Sequence, residues 1–173
     1  MSSGPTTLRP TTASDSAAEP PPFPPALMER VGFLLTMVKG GAEAICTSRL
    51  APLDLHVRQF GLLTVLATEG PRSQQELAEW TRMDRTSMVA LVDSLEERGL
   101  VRRERNPDDR RAYLLQLTPE GKRMQVRARK VMLGAEEEVL GSLNPGERDL
   151  LRELLAKVAA DIGRPPPEAR ART

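Results

Sequence analysis

Along the chain, apolar residues recur every three or four positions through Leu27, Val31, Leu34, Leu35, Val38, Ala42 and Ile45, which predicts a helix over about 26–48. Gly40-Gly41 inside it lower helix propensity by roughly 1 kcal/mol each relative to Ala, and mark either a kink or the close approach of another helix. Pro52 breaks the pattern before a second helix with Phe60, Leu63 and Leu66 on its apolar face, which Gly70-Pro71 ends. Ser73-Gln-Gln-Glu76 has the form of a capping box and opens a short helix reaching Trp80. Thr81-Arg-Met-Asp84 is a tight connection. Asp84 caps the next helix, Arg85 to Arg98, and Gly99 suits its left-handed C-cap.

Beyond Gly99 the period changes. Val101, Arg103 and Arg105 alternate with Arg102 and Glu104, and after Asn106-Pro-Asp-Asp109 the residues Tyr113, Leu115 and Leu117 face one way. Two such strands around turn-forming residues predict a β-hairpin whose tip is the charged run Asp108-Asp109-Arg110-Arg111. Thr118-Pro119 then supplies an N-cap with proline at the first helical position, where no N–H is needed. That helix runs to about Leu140, with Met124, Ala128, Val131, Ala135 and Val139 along one side. Asn144-Pro-Gly-Glu147 repeats the start signal, and Leu150, Leu151, Leu154, Leu155, Val158 and Ile162 stripe the last helix. Residues 1–24 and 164–173 lack periodicity and are expected to be disordered tails around one domain, 25–163.

The predicted fold is mainly α with a small β-hairpin wing: a winged helix-turn-helix over about 56–117, flanked by helices over about 26–48 and 119–162. Such a unit can lay one helix in the major groove of DNA while the wing reaches the neighbouring minor groove. Met88, Leu91, Val92 and Leu95 form an inward stripe on the candidate recognition helix, leaving Arg85, Thr86, Ser87, Val89 and Ala90 outward. Arg reads guanine bidentately, and Thr and Ser reach bases or phosphates. Ser73, Gln74 and Gln75, at the start of the preceding helix, are counted with them as candidate DNA-binding residues. An ordinary solvated helix face is the plainer alternative.

Composition changes this picture little. Of 173 residues, 39% are hydrophobic and 28% charged, as in a soluble globular protein, and the net charge of +1 leaves the DNA case resting on where charges sit. Residues 98–111 hold six arginines against three carboxylates, which adds Arg103, Arg105, Arg110 and Arg111 as candidate DNA contacts. One cysteine, Cys46, excludes an internal disulfide framework and suits a reducing, cytoplasmic setting. No secretory signal and no membrane span is expected. With one histidine, no HExxH, no phosphate-binding glycine loop and no nucleophile elbow, no catalytic residue, metal site or cofactor is expected.

Leu95-Glu-Glu-Arg-Gly-Leu-Val101, Arg103, Asn106-Pro-Asp-Asp-Arg-Arg-Ala112 and Leu117-Thr-Pro-Glu-Gly121 together resemble the wing sequence of the MarR family of winged helix-turn-helix transcriptional regulators, and the helix order agrees over about 26–162. The resemblance implies that Arg111 enters the minor groove while Asp109 steadies the wing tip by ion pairing. A plain surface ion pair, worth under about 1 kcal/mol, is the alternative. Where many members carry Thr and Arg, this chain has Val89 and Ala90, which shifts base reading towards Arg85, Thr86, Ser87 and apolar contact with thymine methyls.

The resemblance also implies a homodimer built from the first and last helices, double-stranded DNA with a pseudo-palindromic site as partner, and repression relieved by a small phenolic or anionic ligand. Lys39, His56 and Val57 correspond to the family's effector pocket, although His56 precedes a helix, where an N-cap or surface role is plainer. Peroxide-sensing relatives place a reactive cysteine just before a Phe-Leu-Leu run. Here Gly32 holds that place and Cys46 lies further along, so an inert thiol is favoured over a redox switch. The remaining rivals are a winged helix that binds protein and a repressor that needs no ligand.

Overall fold

The computed structural model describes residues 23–107 and 112–162. It divides the chain into two compact units, one up to Met37 and one from Val38 onward. In the first, a short helix α1 (Pro25–Met28) precedes the start of α2 (Val31–Leu50). Phe23 meets Phe33 edge-on there, with ring centroids 5.3 Å apart. The helix predicted over 26–48 is therefore interrupted at Glu29-Arg30 and runs on to Leu50. Neither glycine nor proline marks that interruption, so periodicity reads straight through it. The close approach expected at Gly40-Gly41 is absent among the described residues: α2 continues through both, and a Cβ at either would meet nothing within 4 Å.

In the second unit a 3-10 turn (Ala51–Leu53) leads to α3 (Val57–Glu69), β1 (Arg72–Ser73), α4 (Gln74–Thr81) and α5 (Arg85–Glu97). Then follow β2 (Val101–Arg105), β3 (Tyr113–Leu117), α6 (Pro119–Val139) and α7 (Pro145–Ile162). The strands form one antiparallel sheet in the order β1-β3-β2. β1 pairs Arg72 with Leu115 and Ser73 with Leu114, an edge that two residues are too few to announce in sequence. Aliphatic side chains make up the buried core, with Phe60 packed against it: Leu62 and Leu63 of α3, Leu77 of α4, and Met88, Val92 and Leu95 of α5 are each 0% exposed. Burying each such side chain contributes about 1.5–3 kcal/mol. Gln59, also buried, spans α3 and α5 by donating to Ser94 Oγ at 3.0 Å.

One junction sets the direction of the wing. Gly99 adopts φ 65°, and the bonds Gly99 N–H to Glu96 O and Leu100 N–H to Leu95 O close α5 in a Schellman turn. Thr118 caps α6 by accepting from Gly121 N at 2.9 Å, while its hydroxyl donates back to Gly99 O at 2.6 Å. The start of α6 thereby lies against the end of α5, and β2 leaves from between them. A Cβ on Gly121 would fall 1.9 Å from the carbonyl oxygen of Leu100.

Gly121→Ala should therefore destabilise the fold by about 2–3 kcal/mol despite the better helix propensity of alanine. Thermal denaturation reads this directly; an unchanged or raised melting temperature would show that the junction yields freely.

Candidate nucleic-acid interface

The helix-turn-helix begins with a capping box that sequence alone announced. Ser73 Oγ accepts from Glu76 N at 3.2 Å, and the Glu76 carboxylate accepts from Ser73 N at 2.8 Å. Gln74 is half-buried, and exposed Gln75 donates to Glu79 at 3.0 Å. The turn to α5 passes through Arg82, which holds φ 52°. Asp84 then caps α5, accepting from Ser87 N at 2.9 Å and from Ser87 Oγ at 2.6 Å. That bond commits the Ser87 hydroxyl proton to the cap. Arg85, Thr86, Val89 and Ala90 are exposed on the face opposite buried Met88, Val92 and Leu95. A cavity of about 660 Å³ opens on this side between α4 and α5, lined by Gln74, Ala78, Arg82, Arg85, Met88 and Val89 among others.

The wing strands pair from Val101–Leu117 to Arg105–Tyr113, and Asn106 N–H donates to Ala112 O at 2.9 Å below the tip. Asp109, Arg110 and Arg111 lie outside the described residues. Arg105 is exposed near the tip, and Tyr113 beside it is exposed too, because the hairpin runs out past the core that buries Leu115 and Leu117. Arg103 faces inward instead. Its guanidinium donates to Asp93 at 2.6 Å and to Glu96, and its backbone N–H donates to Glu96 at 3.2 Å. The Asp93 hydrogen bond, outweighing partial burial, raises its pKa above the usual arginine value and keeps it charged. Strand β2 is thus fastened to α5, a link that alternation on the strand could not reveal.

A second apolar cavity, about 430 Å³, lies between α2, α3 and α6, lined by Ala42, Cys46, Phe60, Arg129, Met132 and Leu133 among others. The three residues expected at an effector pocket do not line it. Lys39 is exposed and pairs with Glu43 at 3.6 Å, His56 is the N-cap of α3, and Val57 packs against the core. Burial pushes the Cys46 thiol up, and the Glu136 charge adds to this against a backbone hydrogen bond that lowers it, so the thiol stays protonated and weakly nucleophilic. At the far end of α5, Arg98 donates to the carbonyl oxygens of Leu53 and Asp54, tying the turn after α2 to the end of α5.

A family model described as MarR family matches residues 53–112. The HTH-type transcriptional repressor NicR of Pseudomonas putida is 32% identical over 148 residues, which is 86% of this chain and 92% of NicR. A candidate transcriptional regulatory protein for the hcr operon of Thauera aromatica is 35% identical over 99 residues, 57% of this chain and 60% of that relative's length. Among solved structures, the transcriptional repressor CouR bound to a 23-mer DNA duplex superposes with a TM-score of 0.74 at 33% identity, covering 78% of this chain and 96% of CouR. CouR from Rhodococcus jostii bound to p-coumaroyl-CoA gives 0.71 at 31% identity, over 79% of this chain and 96% of that one.

Hydrogen bonds from Ser73 hold the Glu76 carboxyl below its usual range, and those from Ser87 do the same for Asp84. Both caps therefore add stability above the ordinary carboxylate pKa of about 4, and that stability is lost as pH falls through the lowered values. The double variant Glu76→Gln, Asp84→Asn should melt below the wild type at neutral pH, with the gap closing in acid. Parallel melting curves across the pH range would remove these caps from the stability of the helix-turn-helix.

Proposed function

We propose that this chain, which belongs to the MarR family of transcriptional regulators, works as a homodimeric repressor that leaves its operator when a small ligand binds. The observation that carries the DNA-binding part is the first two turns of α5. Their exposed residues Arg85, Thr86, Val89 and Ala90 lie on the helix whose later turns Arg103 fastens to the wing strand through Asp93 and Glu96. Arg85 and Thr86 supply polar contacts to base edges or phosphates, while Val89 and Ala90 offer apolar surface to thymine methyls. Arg105 and Arg111 extend the contact along the wing. The DNA-bound CouR structure supports this reading.

A second copy of the chain is the natural cover for α7, where Leu150, Leu154, Val158 and Ile162 are 49–71% exposed while the core leucines are fully buried. Pairing about a two-fold axis gives two recognition helices and a pseudo-palindromic operator. The ligand belongs in the apolar cavity between α2, α3 and α6, whose size suits a compact aromatic or acyl group and whose Arg129 suits an anionic end. p-Coumaroyl-CoA on CouR is a ligand of that chemistry. A ligand spreading α2 and α3 from α6 displaces the turn after α2, and Arg98 passes that shift to the end of α5.

Titration of the DNA upstream of this gene at two salt concentrations should show sequence-selective binding that weakens steeply with salt. Binding indifferent to sequence would favour the protein-binding winged helix. Leu154→Glu, placed on exposed α7, should leave folding within about 0.5 kcal/mol of the wild type yet convert the dimer to monomer in sedimentation velocity. A dimer that survives this change lies on another face.

A further inference from the structure

Several arginines of this chain are turned onto its own carboxylates: Arg49 onto Glu138, Arg98 onto Asp54, Arg103 onto Asp93 and Glu96, Arg123 onto Glu120. Arg58, Arg82 and Arg85 are exposed and have no ion-pair partner among the described residues. Arg58 lies in the first turn of α3, Arg82 in the turn between α4 and α5, and Arg85 at the first position of α5. Arg58 and Arg82 line one cavity of about 260 Å³ with Thr81 and Asp84. Arg82 and Arg85 line the neighbouring cavity that opens beside the recognition helix. Arg82 thus joins the other two into one edge.

No ion pair among the described residues uses these cations, and their places in local structure are unfavourable. Arg58 and Arg85 sit at helix N-termini whose first turns hold no acid, where the helix dipole disfavours positive charge. Arg82 occupies the left-handed region, where a glycine would close the turn without strain. The bonds that make the turn, Arg82 N–H to Glu79 O and Met83 N–H to Ala78 O, use backbone only. Asp84 accepts hydrogen bonds from Ser87 and Glu79 from Gln75, and neither forms an ion pair with these arginines among the described residues. Three cations against two carboxylates, Asp84 and Glu79, line the two cavities, which leaves positive charge for an outside anion, and guanidinium forks match phosphate oxygens.

We propose that Arg58 and Arg82, together with Arg85, form a clamp on the DNA phosphate backbone at the edge of the groove entered by α5. The clamp rests on the reading of α5 as the recognition helix. It fixes register without reading sequence.

The full-length protein is titrated by fluorescence anisotropy against the upstream operator duplex and a duplex of unrelated sequence, each across a range of salt. Arg82→Gly should hold or raise the melting temperature while weakening binding to both duplexes about tenfold at low salt. It should also reduce the salt slope by about one, and Arg82→Lys should restore the slope. Arg58→Gln should reproduce the loss on both duplexes. An unchanged slope in Arg82→Gly and Arg58→Gln, or a loss confined to the operator, would overturn the clamp. If the wild type shows no operator preference, the regulator reading fails by itself, and the clamp stands or falls on the unrelated duplex.

Discussion

The carbonyl of Leu100 lies against the backbone of Gly121, and the recognition helix, the wing and the long helix α6 all take their directions from that contact. Only a residue without Cβ lets α6 come this near, and Thr118 holds the approach by bonding to both sides of it. Because β2 begins at Val101, one residue past the contact, a small shift here is carried along the whole hairpin. Arg103 then fixes the strand at a second point, on Asp93 and Glu96 of α5. A wing attached to the recognition helix at two points moves with it as one body, which is what simultaneous contact with two grooves requires.

Electrostatics divides the same unit into an inner and an outer set of arginines. Arg98 and Arg103 satisfy carboxylates or carbonyl oxygens and act as fasteners. Arg58, Arg82, Arg85 and Arg105 point their charge at solvent. The net charge of +1 hides this arrangement because 25 cationic and 24 acidic side chains nearly cancel in the sum while their positions differ. Surface charge that folding does not use, placed where local structure disfavours it, is the pattern expected at a site selected for binding.

The apolar surface is divided in a similar way. The winged unit buries most of its leucines, whereas α7 leaves a leucine-rich stripe exposed and an apolar cavity lies between α2, α3 and α6. The Arg98 bonds to the turn after α2 place the end of the recognition helix within mechanical reach of that cavity.

The order of the main helices and the hairpin, the caps at Ser73, Asp84 and Thr118, the turn at Gly99 and the outward face of α5 were legible in sequence, whereas the break between α1 and α2 and the short β1 were not. Each legible feature is a short-range matter of periodicity, hydrogen bonding within four residues, or a single φ angle. The family was legible too, since its motif is contiguous. Tertiary structure alone decided that Arg103 is a fastener, that β1 joins the sheet, that Arg58, Arg82 and Arg85 share an edge, and that Lys39, His56 and Val57 stand apart from the apolar cavity. Partners such as Arg103 with Asp93, or Arg58 with Arg82, are set by how helices and strands pack. No local pattern encodes which of several equivalent charges will meet.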